Sequence, residues 1–188
     1  MKESNIVMYP NKIFVWGMMG VGKSTVGRKL AKKLDWKFYD LDEQIVKRTG
    51  ESIEDIFEMQ GESGFRTIES DVLTDLIQDI DVVISTGGGT PCFNDNDHLM
   101  LTSGICVWLD APPKFLQSRV KNSMQIRPLL RGLNDEEQIQ VLNYLLAKRT
   151  CYYEQAALKV SAKNFDQKNL TEQLLPLFKN NPRFIIKD

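Results

Sequence analysis

The stretch Gly17-Met18-Met19-Gly20-Val21-Gly22-Lys23-Ser24-Thr25 fits the pattern G-x-x-x-x-G-K-[ST], and its reading decides the fold. Before it, Ile13-Phe14-Val15-Trp16 is a short continuous apolar run, the mark of a buried strand. After it, Val26, Leu30, Ala31 and Leu34 fall at helical spacing over Lys23 to Leu34. Strand, glycine-rich turn and helix are the context a phosphate-binding loop requires. Glycines let the backbone curl with its N–H groups inward around an anion, and the helix adds its positive N-terminal end. The expected nucleotide contacts are Met19, Gly20, Val21, Gly22, Lys23, Ser24 and Thr25. Lys23 is expected to reach the β- and γ-phosphates, and the Ser24 hydroxyl to help hold Mg²⁺.

The chain around the loop sets outer bounds. Its 188 residues suggest one domain, and 42% hydrophobic content is enough for a core. A net charge of −1 points neither to nucleic acid nor to an anionic membrane. The start Met1-Lys2-Glu3-Ser4-Asn5-Ile6 lacks a signal-peptide apolar run, and no stretch approaches the roughly 20 apolar residues of a membrane span. Cys92, Cys106 and Cys151 have neither zinc-site spacing nor a disulfide framework, so a reducing cytoplasm is expected. His98, the one histidine, lies in a motif-free surface segment with no evident acid–base partner.

Onward from the loop, strands and helices alternate. Phe38-Tyr39 suits a second strand that ends in Asp40-Leu41-Asp42. In extended backbone, residues i and i+2 face one way, which points both carboxylates into the crevice at the strand's carboxyl end; a helix N-cap at Asp42 is the plainer alternative. Glu43 to Thr49 reads as a helix stopped by Gly50, and Ser52-Ile53-Glu54-Asp55 as a capping box opening another. Gly61 and Glu62 lead into a helix with Phe65, Ile68, Val72, Leu73, Leu76, Ile77 and Ile80 on one stripe. Arg66 and Glu69 lie off it, which on periodicity alone makes them a solvated face. Asp81 to Ser85 is a strand ending in Gly87-Gly88-Gly89, whose entropic cost a closely approaching ligand justifies unless it is a plain loop. A short helix around Asp95 to Leu101 and a strand Ile105 to Leu109 follow, and Pro112-Pro113 opens a helix carrying Phe115, Leu116, Val120 and Arg119. The segment Ser123 to Asn134 has no clean period and suits a mobile, cationic flap. A long helix capped by Asn134 or Asp135 runs through Arg149, then a strand at Ala157 to Val160 and a last helix with Leu170, Leu174, Leu175 and Phe178. Five strands alternating with helices argue for a parallel sheet with helices on both faces.

From about Lys12 to Leu175 the chain resembles the shikimate kinases. The resemblance is carried, in order, by Gly17 to Thr25; Asp40-Leu41-Asp42; Gly61-Glu62 with Phe65-Arg66 and Ile68-Glu69; Gly87-Gly88-Gly89; and Arg127-Pro128-Leu129-Leu130 followed by Lys148-Arg149 and Tyr152-Tyr153. It implies a P-loop NTPase fold of the nucleoside monophosphate kinase type, a single domain over 1–188 with a mobile lid at about 122–134. It also implies transfer of the γ-phosphoryl of ATP to the 3-hydroxyl of shikimate, with Mg²⁺. By the same resemblance Asp42 binds the shikimate hydroxyls and serves as base, and Asp40 holds Mg²⁺ with Ser24. Arg66 and Arg149 bind the shikimate carboxylate, Gly88 with its neighbours Gly87 and Gly89 offers backbone N–H groups to the substrate, Arg127 closes over the phosphates and Arg119 stacks near adenine. Lys23, Asp42 and Arg127 are thus the expected catalytic set. Two departures are Cys151, where the family often has proline, and Met18-Met19 in the loop; neither removes a functional group. Shikimate and ATP are the expected partners, with no nucleic acid and no membrane, for a cytoplasmic monomer.

Three rivals compete. Another small-molecule kinase, such as a gluconate kinase, takes a similar polyhydroxy acid. A nucleoside monophosphate kinase needs a second base pocket for which no motif is evident. A non-catalytic nucleotide- or shikimate-binding regulator is disfavoured because Lys23, Asp42 and Arg127 are all present.

Overall fold

A computed structural model describes residues 11–121 and 128–178. Arg127 and the first part of the expected lid lie outside the described residues.

Five parallel strands form one sheet: β1 (Lys12–Trp16), β2 (Lys37–Asp40), β3 (Val82–Ser85), β4 (Ile105–Asp110) and β5 (Leu158–Ser161), in the order β2-β3-β1-β4-β5. In β1, β3 and β4 almost every residue is buried, with no alternation along the strand. Burial at consecutive positions means that both faces of the sheet are covered, as expected when parallel strands are joined by helical crossovers. The register sets Phe14 beside Ile84 and Cys106, and Trp16 beside Trp108. Trp16 is fully buried, and its indole N–H donates to Met100 Sδ at 3.3 Å.

The crossovers are α1 (Lys23–Leu34), α2 (Leu41–Thr49), α3 (Ile53–Leu76), α4 (Asn96–Ser103), α5 (Pro113–Lys121) and α6 (Asp135–Tyr153), with α7 (Gln167–Leu174) last. α1 packs against β2, β3 and α7, while α5 packs on α6 and α2 on α3. Side chains cap α3 (Ser52 with Asp55), α6 (Asn134 with Glu137) and α7 (Asp166). α3 kinks at Gly61, whose φ of 67° and ψ of −176° are not helical.

Three local expectations are corrected. α3 ends at Leu76, so Ile80 leaves the apolar stripe and is 48% exposed. Leu175 is also exposed, because α7 gives way to a 3₁₀ turn over Leu175–Phe178 that buries Phe178 against Trp36. The helix cap after β2 is Asp40, not Asp42.

At the base of β4, a Cβ added to Gly104 would sit 2.6 Å from the Lys12 carbonyl oxygen. The Gly104 φ of −174° suits any residue, so space alone demands glycine here. Gly104→Ala is expected to cost about 1–3 kcal/mol through overpacking. Thermal melting should show it as a drop of roughly 2–4 °C per kcal/mol; an unchanged Tm would mean that β1 and β4 part without cost.

Candidate active site

The glycine loop joins β1 to α1 at the carboxyl end of the sheet. Gly17, Gly20 and Gly22 have φ of 135°, 75° and 103°, values that L-side chains rarely adopt. At Gly17 a Cβ would also lie 2.4 Å from the Leu109 carbonyl oxygen, so the loop is wedged against the end of β4. Unlike α2, α3, α6 and α7, α1 begins without a side-chain cap: its N-cap is Gly22. Its first N–H groups are thus available to an anion, with the helix dipole behind them. Lys23 is buried, and its Nζ donates to the Met18 carbonyl at 3.1 Å, folding the ammonium back over the loop. Arg119 of α5, exposed, has Nη2 within 3.4 Å of a Cβ placed on Gly22, so its guanidinium lies beside the loop. Val21 is buried, and its N–H is spent on the Met18 carbonyl at 3.3 Å.

Next to the loop is a cavity of about 530 Å³, a size suited to a small ligand. Met19, Lys23, Ser24, Asp40, Asp42, Gly87 and Gly88 are among its lining residues. Ser24 Oγ donates to Asp40 Oδ2 at 2.5 Å. The other Asp40 oxygen accepts from the N–H of Asp42 at 3.1 Å and of Glu43 at 3.5 Å, which caps α2. Asp42 therefore sits in the first turn of α2 and not in extended backbone. It reaches the same cavity by a different route from the one its i, i+2 spacing predicts. Its Oδ1 lies 3.5 Å from a Cβ placed on Gly87.

Behind Gly87–Gly89 lies a buried charged cluster. Arg66 is 8% exposed and Glu69 is 0% exposed, which overturns the solvated-face reading of these two residues. Arg66 Nη1 donates to Glu69 Oε2 at 2.7 Å, while Nη2 and Nε reach Glu62 Oε1 at 3.0 and 3.4 Å. Glu69 Oε1 accepts from Thr90 Oγ1 at 2.6 Å, so the buried carboxylate has a cation on one oxygen and a hydroxyl on the other. None of Gly87, Gly88 and Gly89 has positive φ. What they supply is room: Cβ atoms there would lie 2.8 Å from Glu69 Oε1, 3.2 Å from Arg149 Nη1 and 2.5 Å from Arg66 Nη2 respectively. Their carbonyls accept from the Thr90 N–H, the Tyr153 hydroxyl and the Cys92 N–H, whereas their own N–H groups make no hydrogen bond to the described residues.

Arg149 is 7% exposed, and its Nη1 is 3.8 Å from the Met18 sulfur, a contact the Tyr153 hydroxyl shares at 3.8 Å. Met18 thus ties the phosphate loop to the Arg149 side of the site, a link that its standing as a neutral departure in the loop did not suggest. Burial pushes the Tyr153 hydroxyl up, so it is a neutral donor near pH 7. Burial also holds the Cys92 thiol at about 11 despite Arg149 and Arg66, which makes it a poor nucleophile.

The structure accordingly brings Met19, Lys23, Ser24, Asp40, Asp42, Gly87 and Gly88 into one cavity, with Arg119 at the loop. Arg66 and Arg149 stand just behind the glycines, and neither they nor Gly89 are among its lining residues. Thr25 lies exposed in the first turn of α1. Sequence reasoning gave Glu69 a solvated face or an ion pair on its own helix, and gave Thr90, Tyr153 and Met18 no role. The signal for Glu69 and Thr90 was a run of small residues that had to accommodate something large and charged.

A family model described as "Shikimate kinase" matches residues 19–178. Shikimate kinase from Bacteroides fragilis is 43% identical over 145 residues, 77% of this chain and 81% of that protein. The enzyme from Azobacteroides pseudotrichonymphae is 41% identical over 166 residues, covering 88% of this chain and 98% of the relative. Among solved structures, shikimate kinase from Bacteroides thetaiotaomicron superposes with a TM-score of 0.83 at 37% identity over 87% of this chain and 97% of that one. Shikimate kinase from Acinetobacter baumannii in complex with shikimate gives 0.79 at 36% identity, over 93% and 96%. A gluconokinase from Sinorhizobium meliloti, at 0.59 and 16% identity over 92% and 94%, shares the fold alone. With a family model matching over this span, relatives of this identity, and the phosphate loop, paired aspartates and glycine strap placed together, the chain belongs to the shikimate kinase family.

Proposed function

We propose that this chain transfers the γ-phosphoryl group of ATP to the 3-hydroxyl of shikimate, giving shikimate 3-phosphate and ADP. The observation that carries this reading is the convergence of Lys23, Ser24, Asp40 and Asp42 with Gly87 and Gly88 around one small cavity. Phosphoryl transfer needs alignment and charge neutralisation more than covalent help from the protein. The uncapped start of α1 and the loop N–H groups cradle the phosphates, Lys23 neutralises the transferring group, and Arg119 flanks the nucleotide. Asp42, beside Gly87, accepts the proton of the attacking hydroxyl and orders the diol. Arg66 and Arg149 take the carboxylate, for which a guanidinium fork is the matching donor. Arg127 closes over the phosphates from the segment at about 122–134.

Mg²⁺ fits the residues present. Ser24 Oγ and Asp40 Oδ2 are side by side at the phosphate end, hard oxygen donors of the kind this ion takes together with water and phosphate. When bound, Mg²⁺ supplies charge compensation to the phosphate oxygens.

We read 1–188 as a single domain working as a cytoplasmic monomer. In support of the single domain, the described strands belong to one sheet.

ADP release tests the function directly. With ATP, Mg²⁺ and shikimate it should far exceed release without acceptor or with gluconate, and EDTA should abolish the difference. Faster release with gluconate would transfer the reading to that acid. Equal release in all three mixtures would leave a nucleotide-binding protein without this activity.

A further inference from the structure

We propose that Phe93 is a positioning residue for Arg66: its ring holds the guanidinium plane while Glu62, the solvent-side partner, gives way to the substrate carboxylate. The proposal rests on the reading that Arg66 binds that carboxylate. The guanidinium has two unequal partners. Glu69 is fully buried and locked by Thr90, so it stays. Glu62 has a side chain 57% exposed and sits on the edge formed by Nη2 and Nε. A carboxylate ligand offers that edge what Glu62 offers it, so Glu62 is the partner that exchanges. During the exchange Glu69 and the ring contacts are what fix the plane among the described residues.

The Phe93 ring centroid is 4.2 Å from Arg66 Cζ, closer than that of Phe65 at 5.1 Å. A ring face at this distance attracts the cation and leaves the in-plane N–H groups free for carboxylates. Phe93 is nonetheless 36% exposed, so its place is not set by core burial alone.

The backbone that presents Phe93 is strained and fastened. Asn94 and Asp95 follow it with φ of 52° and 55°, two successive non-glycine residues in the left-handed region. Such a turn persists only where its surroundings impose it. Here the Asn94 side-chain amide donates to the Arg66 carbonyl and to Ser70 Oγ, both at 3.0 Å. Buried Asn96 donates to Ser70 Oγ and to the Thr90 carbonyl, both at 3.1 Å. The strap is therefore anchored on the turn of α3 that carries Arg66, and Gly89 brings its start against the guanidinium.

Steady-state kinetics on the full chain test the proposal with Phe93→Leu, Phe93→Tyr and Arg66→Lys. Phe93→Leu removes the π face from a partly exposed site, so the Tm should hold. The KM for shikimate should rise about 3- to 10-fold, with kcat and the KM for ATP within twofold of the parent. Phe93→Tyr keeps the face and should restore the parental KM. If Phe93→Leu leaves the shikimate KM unchanged while Arg66→Lys raises it, Phe93 has no positioning role and the carboxylate reading survives. If neither variant moves that KM, the carboxylate reading fails and takes this proposal with it. A failure of Phe93→Tyr to rescue, or an equal rise in the KM for ATP, would also overturn it, since a packing role predicts either.

Discussion

Replacing Lys23 with alanine is expected to lower kcat by roughly 100-fold or more, the scale of losing one preorganised charge from a transition state. The structure sharpens this expectation by separating chemistry from folding. Lys23 is the first residue of α1, where a cation opposes the helix dipole. Its Nζ donates to the Met18 carbonyl, a bond within the loop itself. Alanine there relieves the like-sign interaction and favours the helix, so the Tm should fall little or rise. A variant that melts like the parent but turns over 100-fold more slowly places the ammonium on the reacting phosphoryl group. If kcat fell only threefold and the KM for ATP rose instead, Lys23 would contribute ground-state binding alone.

The fold was legible where local signals agreed. An apolar run, a glycine-rich turn and a helical period set β1 and α1 without help from the rest of the chain. The capping box at Ser52 and a cap at Asn134 or Asp135 likewise marked helix starts, and the structure assigns the second cap to Asn134. The end of α3 was not legible, because no Gly or Pro lies between Leu76 and Asp81 to announce it. The chain leaves the helix through turn bonds from Gln78 to Asp75 and from Asp79 to Leu76, and Asp81 takes a φ of 54° to enter β3. Ile80 kept the helical period by coincidence.

The site was half legible for a related reason. The loop and the aspartate pair announce themselves by spacing, although Asp42 reaches the cavity as a first-turn helix residue once Asp40 has taken the cap. Arg66 and Glu69 look solvated to any count of apolar residues, because a buried ion pair is polar in composition. What buries them, Thr90 and the three glycines, lies about twenty residues downstream and is brought over only by the crossover from α3 through β3. The glycine run was read as room for a ligand. Much of that room is taken by the protein's own charged side chains.

That burial changes what Arg66→Ala must do. On binding alone, losing a charged hydrogen bond of about 1.5–3 kcal/mol should weaken shikimate by roughly 10- to 150-fold, with the KM for ATP little changed and Arg149 still holding the carboxylate. The ion pair adds a second effect. Removing Arg66 leaves the Glu69 carboxylate fully buried with Thr90 as its one remaining hydrogen-bond partner among the described residues. Breaking one side of a buried pair costs about 3–5 kcal/mol, which in a domain of this size is a Tm loss on the order of 6–20 °C. The two effects separate in the double variant Arg66→Ala with Glu69→Gln. Glutamine is neutral and can keep accepting from Thr90, so much of the lost stability should return. The shikimate affinity should not, because the guanidinium is still missing. Arg66→Lys should fall between, keeping the charge beside Glu69 but losing the planar fork. Recovery of both Tm and shikimate KM in the double variant would mean that Arg66 serves the fold alone and that the carboxylate is held elsewhere, with Arg149 the remaining buried guanidinium beside Gly88.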